Sequence, residues 1–209
     1  MPALGATSPS HAEAIAVDAE EGAGIAALVQ GASVEINHAD VKHLEAARTL
    51  LPSRTRLFIS HLPGQTWQQT IDSAAAATAH GFAPVPHVPV RLMPDASTFD
   101  RVVGQLADRG AAELLLISGD YAQAVGPFDA VAPVLATGVL GRHGIRRVSL
   151  AGHPEGHPKV DTDVIRRAQR DKVCQALDLG LQPSLVTQFF FESAPFLQWC
   201  RELREDGID

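Results

Sequence analysis

Several ionisable or amide side chains stand where an apolar run ends. Glu35 lies in Ser33-Val34-Glu35-Ile36, and Ser60-His61 closes a second run. His87 sits in Pro86-His87-Val88, and Ser118-Gly119-Asp120-Tyr121 follows Leu114-Leu115-Leu116-Ile117. Further on come Gly152-His153-Pro154-Glu155-Gly156-His157-Pro158 and Thr187-Gln188-Phe189-Phe190-Phe191-Glu192. A carboxylate inside an apolar run is costly to bury unless paired. Glu35 is therefore either one half of a structural salt bridge or a desolvated acid able to give up a proton near neutral pH. Asp120 reads as a turn residue or as an ionisable group delivered to the rim by the strand before it. His87 reads as a structural histidine or as a ligand contact. Gln188 offers the donor and acceptor pair that a pterin or flavin edge demands. The neighbouring phenylalanines, three of the chain's eight, serve packing or the face of a flat heterocycle.

His153, Glu155 and His157 also admit a metal reading, that of a barrel hydrolase with His87 as a further ligand. An extended segment would put the three on one side, and the flanking prolines favour extension. No second cluster with zinc-site spacing accompanies them, so no metal is expected.

The elements that must carry these groups alternate. Strands are expected at 32–36, 56–60, 83–87, 113–117, 147–151 and 184–187. Helices are expected at 41–50, 66–80, 97–109, 128–140, 161–179 and 194–204. Pro52 and the glycines Gly81, Gly110, Gly180 and Gly207 supply stops. Ser97 is the expected cap of the third of these helices, and the prolines around His87 are expected to mark a strand end. Before them lie a loose leader and a helix from Ser10 to about residue 30, with Glu13 at the capping-box position and Gly22 and Gly24 weakening it. We divide the chain into 1–30, leader and helix, and 31–209, one catalytic domain.

Strict strand-then-helix alternation implies parallel strands with helical crossovers. A doubly wound dinucleotide fold should show a glycine fingerprint after its first strand, but Asn37-His38-Ala39-Asp40 follows Ile36. The expectation is an α/β fold of the (βα)8 barrel type with six of its units present. In such a barrel the groups named above gather at the C-terminal ends of the strands, where barrel enzymes place their chemistry.

Composition narrows the function. A net charge of −7 opposes a sequence-independent grip on nucleic acid. Hydrophobic residues at 45% and charged residues at 20% are ordinary for a soluble domain. No stretch approaches the roughly 20 apolar residues of a membrane span. Cys174 and Cys200 lack CxxC spacing, and the start of the chain lacks a cationic, apolar leader, so a reducing cytoplasm is expected.

Two segments are specific enough to suggest a family. Ala151-Gly152-His153-Pro154-Glu155-Gly156-His157-Pro158 resembles the AxYPExHP segment of methylenetetrahydrofolate reductases, and Leu185-Val186-Thr187-Gln188-Phe189-Phe190-Phe191-Glu192 resembles their ITQFFFD. Ser33-Val34-Glu35-Ile36 is similar to SFEFFPP, Pro86-His87-Val88 to PHLT, and Ser118-Gly119-Asp120 to RGD. The order is the family's, and the likeness spans about residues 32–209. It implies a (βα)8 barrel holding FAD, reduced by NADH or NADPH, which converts methylenetetrahydrofolate to 5-methyltetrahydrofolate in the one-carbon supply to methionine biosynthesis.

By motif position the resemblance makes Glu35 the general acid and Asp120 the aspartate near flavin and pterin, both also contacting substrate. Gln188 becomes the amide that binds folate and nicotinamide. His87, Ser118, Gly119, Asp120, His153, Glu155 and His157 become the flavin contacts. The sequence departs from the family after Glu35, where the aromatic pair and prolines are lost. It departs again at Ser118, which replaces arginine, and at His153, which replaces tyrosine. The family also continues past the position of Asp209 with two more units. The expectation is a piece of a longer product, or a homo-oligomer or partner chain that covers the gap. A folate-binding relative without turnover is the alternative.

Overall fold

The computed structural model describes residues 19–119, 121–158 and 160–208. The chain divides into two compact units, Met1–Ala32 and Ser33–Asp209. In the first, α1 spans Ala19–Gln30 and contains Gly22 and Gly24. The expected cap at Ser10 and its partner Glu13 lie outside the described residues.

The second unit is a six-stranded sheet with strands in sequential order, every neighbouring pair parallel. The strands are β1 (Val34–Ile36), β2 (Arg56–Ile59), β3 (Ala83–Pro89), β4 (Glu113–Ile117), β5 (Arg147–Gly152) and β6 (Gln182–Thr187). Sequential order is the order of a (βα) barrel, not of a doubly wound sheet, whose order reverses at a switch point. The sheet is the curled part of such a barrel, with β1 and β6 at its edges.

The helices are α2 (Leu44–Ala47), α3 (Trp67–Ala79), α4 (Ala96–Asp108), α5 (Val131–Ala136), α6 (Val139–Arg142), α7 (Thr162–Asp178) and α8 (Ser193–Glu205). The main core, with Leu57, Ile59, Val88, Leu114, Leu116, Val148 and Leu150, fills the space between strands and helices. A smaller cluster of Phe58, Val85 and Leu115 lies on the opposite face of the sheet. Period-two alternation separates the two sets.

Three expectations about helices need correction. The helix expected at 41–50 is a 3-10 turn over His38–His43 followed by the single turn of α2. The helix expected at 128–140 is two short helices, because Gly138 adopts φ 65 between α5 and α6. The cap of α4 is Asp95, whose carboxylate accepts from the Thr98 amide at 2.7 Å, while Ser97 donates its hydroxyl to the same oxygen at 2.7 Å. Asp95 and Thr98 have the N-cap to N3 spacing that Ser97 lacks.

The prolines near His87 do not end β3 but lie within it, between β2 and β4. The Ala83 amide donates to Thr55 O at 3.0 Å, so odd-numbered residues of β3 turn their N–H toward β2. Pro84 and Pro86 therefore lack donors only on the β4 side. Pairing with β2 runs over Ala83 to Pro86, and pairing with β4 begins only at His87.

Candidate functional site

The C-terminal ends of the strands carry two polar groups. The first spans β1 to β3. The register aligns Glu35 with Phe58 and Phe58 with Val85, so Glu35 belongs to the same face as the smaller cluster. The Ser60 hydroxyl donates to Glu35 Oε1 in a short hydrogen bond. His87 stands edge-on to Phe58, with ring centroids 6.0 Å apart. Its Nε2 is buried without a hydrogen-bond partner. Burial holds the His87 pKa below that of an ordinary histidine, against the opposing pull of the Glu35 charge.

Glu35 itself is exposed, contrary to the burial expected from its apolar neighbours in sequence. β1 is a three-residue edge strand with a neighbour on one side only, so the apolar residues around Glu35 in sequence do not enclose it in space.

The second group is built by the loops after β5 and β6. His153, Glu155, His157, Gln188 and Phe189 line a cavity of about 320 Å³. The segment is not extended, as the metal reading required. The Gly156 amide donates to His153 O at 3.1 Å, and Gly156 has φ 77, so a tight turn folds His157 back toward His153. The two rings meet edge to face at 5.8 Å, while Glu155 is exposed at the turn. The His153 pKa is lowered, first by burial and then by the charges of Lys172 and His157. Among the described residues no group of three or more His, Cys, Asp or Glu side chains is placed to hold a metal ion.

The Gln188 amide donates to Gly152 O at 3.3 Å, joining the ends of β5 and β6. Its side chain is exposed, as is Phe189, whereas Phe190 stacks on Phe196 of α8 at 4.5 Å. Phe189 therefore offers a ring to the cavity while Phe190 secures the helix.

Between the two groups, Ser118 and Gly119 follow β4. Gly119 has φ 87, and a Cβ there would come within 2.9 Å of the Tyr121 ring and 3.1 Å of Pro89. Only glycine meets both demands. Asp120, expected to be catalytic, lies outside the described residues.

Two residues of α7 were not singled out in the sequence, and one of them, Lys172, lies near His153. Lys172 of α7 is half-buried, and its pKa is lowered by that burial. It makes no ion pair with any described residue. Gln169, one turn earlier, is buried with its Oε1 unpartnered. Gln169, Val173 and Ala176 form the buried stripe of α7 at i, i+4 and i+7. A glutamine on that stripe was the available signal. A larger cavity of about 800 Å³ lies between α7, β6 and α8, but its lining is mostly apolar, with Leu177, Leu185, Phe196, Trp199 and Leu203. It lacks convergent ionisable groups, so the smaller cavity is the stronger candidate site.

No family model matches the chain. Among solved structures it is similar to a dihydropteroate synthase from Thermus thermophilus in complex with 6HMPPP, with a TM-score of 0.52 and 13% sequence identity. The match covers 83% of this chain and 65% of the synthase. The chain thus spans about two thirds of the length of that protein, and at this identity the likeness is one of fold: a parallel α/β barrel, here in part. Among the described residues no helix is long and apolar enough to cross a membrane.

Proposed function

We propose that this chain carries much of the catalytic face of a methylenetetrahydrofolate reductase built on a (βα)8 barrel. The observation that carries the reading is the gathering, at one end of one parallel sheet, of an acid held by Ser60, a buried unpartnered histidine nitrogen, and a cavity with an exposed amide beside an exposed ring. The fold neighbour adds a weaker support: a scaffold of this kind serves a dihydropteroate synthase.

Three features fit a flat cofactor with an anionic tail such as FAD. The His87 Nε2 is buried without a partner, the Lys172 ammonium near His153 is half-buried without an ion pair among the described residues, and His153, His157 and Phe189 line the cavity. A buried unpaired polar atom costs about 1–3 kcal/mol, which a ligand that bonds it returns. At about 320 Å³ the cavity admits a ring system rather than a whole dinucleotide. Phe189, His153 and His157 would line the rings, and Lys172 would face the tail. A flavin bound there would relay hydride from NADH or NADPH to the one-carbon unit.

This chain's own residues do the rest. Glu35, oriented by Ser60, gives a proton to the folate nitrogen as the five-membered ring opens. The positive charge that develops on the one-carbon unit requires a carboxylate, the role assigned to Asp120. Gln188 pairs with the amide edge of the pterin. The two cysteines are free, which agrees with a cytoplasmic place.

Glu35→Gln tests the reading. NAD(P)H oxidation that depends on methylenetetrahydrofolate falls by about 100-fold or more, while the dissociation constant for 5-methyltetrahydrofolate is kept. The exposure of Glu35 favours a second reading, folate binding without turnover. If the wild type binds folate but oxidises no NAD(P)H, the second reading replaces the first.

A further inference from the structure

We infer that Arg91 is a positioning residue that fixes the loop after β4, which carries Ser118 and Gly119, to the end of β3. The described residues between β4 and α5 contain no helix or strand, yet Arg91 bonds them at four points. Its amide donates to Ser118 O at 3.4 Å, and its carbonyl accepts from the Val125 amide at 2.8 Å. Its guanidinium donates from Nε to Asp129 O at 2.8 Å and from Nη1 to Tyr121 O at 2.9 Å. One residue thus ties both ends and the middle of an otherwise irregular segment to the 3-10 turn Val90–Leu92 that follows β3.

Gly119 and Tyr121 of this loop are both constrained. Gly119 has a left-handed backbone and no room for a side chain, since a Cβ there would meet Tyr121 and Pro89. Tyr121 is held by the Arg91 guanidinium through its carbonyl. The planar fork satisfies two carbonyls from one rigid group, a geometry that a lysine ammonium does not reproduce. Loops without their own ladder sample many conformations, and a loop that must meet a bound cofactor or substrate is useful only where it is held.

The effect on turnover rests on the reductase reading, whereas the clamp does not, and two measurements separate them. Hydrogen exchange is followed in Arg91→Met and Arg91→Lys, with the steady-state parameters for methylenetetrahydrofolate. In Arg91→Met, exchange in residues 118–129 rises about tenfold while the strands keep their protection. The kcat falls about 10- to 100-fold with KM changed by less than about threefold, and Arg91→Lys recovers part of the loss. Unchanged exchange in 118–129 overturns the clamp. Faster exchange with unchanged kcat overturns the positioning role. A wild type without turnover sinks the reductase reading instead, and exchange alone then decides the clamp. Should Arg91→Met fail to fold, Arg91→Lys carries the same comparison.

Discussion

Gly152→Ala separates the stability of the barrel from the geometry of its site. Gly152 ends β5, and the methyl group would lie 2.8 Å from Trp199 Cζ2 and 3.0 Å from Cη2. Carbon atoms in contact prefer about 3.5–4.0 Å, so the indole must retreat by roughly 0.7 Å. Overpacking in a tight core costs about 1–3 kcal/mol. Here the lower end applies, because no residue of α8 is buried and the helix can tip. Its restraints are the Phe190–Phe196 stack and the pairing of Arg166 with Asp206 at 3.1 Å and Glu202 at 3.7 Å. We expect a loss of about 1 kcal/mol, or about 2–4 °C in Tm for a chain of this size. The site suffers more. The Gln188 amide bonds Gly152 O, and the chain runs directly from Gln188 into α8, so tipping the helix displaces the Gln188 side chain. A misplacement near 1 Å costs up to about 100-fold in a positioned reaction. The assay pairs urea unfolding with folate titration, and Trp199→Phe in the Gly152→Ala background is the control. Removing the larger ring should restore both quantities. If the double variant binds folate no better than Gly152→Ala, the steric account is wrong.

The remaining predictions concern charge. Burial lowers the pKa of His61, His87 and His153, so the unfolded chain binds more protons than the folded one as pH falls through about 6.5. Their stabilising contribution is complete above that value and is lost as pH drops toward the depressed folded values. The urea midpoint should therefore be level above about pH 7.5 and decline between about pH 7 and 5, and a midpoint constant to pH 5 would contradict this. Arg147→Met should destabilise by about 2–3 kcal/mol and Glu113→Gln by only about 1 kcal/mol. Glu113 is 3% exposed, whereas Arg56 and Arg147 are 45% and 48% exposed, so losing Arg147 leaves a buried charge with only the longer Arg56 contact as its ion pair, and losing the charge on Glu113 leaves no buried charge behind. Urea denaturation of the two variants gives the order, and the reverse order would refute it.

Much of this fold was legible because each unit punctuates itself. The apolar run Leu114-Leu115-Leu116 fitted a strand buried on both faces, and Gly81, Gly110 and Gly180 sit just past α3, α4 and α7 with positive φ. What escaped the sequence depended on space. The exposure of Glu35 follows from β1 lying at an edge, which no local pattern encodes. The meeting of His153 with His157 depends on a turn at Gly156, where prolines alone suggested extension. Lys172 became visible only once the phase of α7 placed it near His153. Arg91 acts on carbonyls 30 and 38 residues away, and backbone acceptors leave no trace in composition.

The prolines of β3 connect these observations. Pro84 and Pro86 remove backbone donors toward β4, so the two strands begin to pair only at His87. Below that level, side chains span the weakened seam. Arg56 of β2 reaches past β3 to Glu113 of β4 at 3.8 Å, and Arg147 of β5 meets the same carboxylate at 3.4 Å. The Ser149 hydroxyl donates to Glu113 Oε1 at 2.7 Å and lies 2.9 Å from the Ser184 hydroxyl of β6. A polar network thus links β2, β4, β5 and β6 near the N-terminal end of the sheet. Backbone pairing between β3 and β4 is confined to the C-terminal end, at the level where His87 stands. The network ties these strands together near their N-terminal ends, and the paired segment carries the histidine. Substitutions in the network should accordingly lower stability without altering folate affinity, whereas those at His87 should do the reverse.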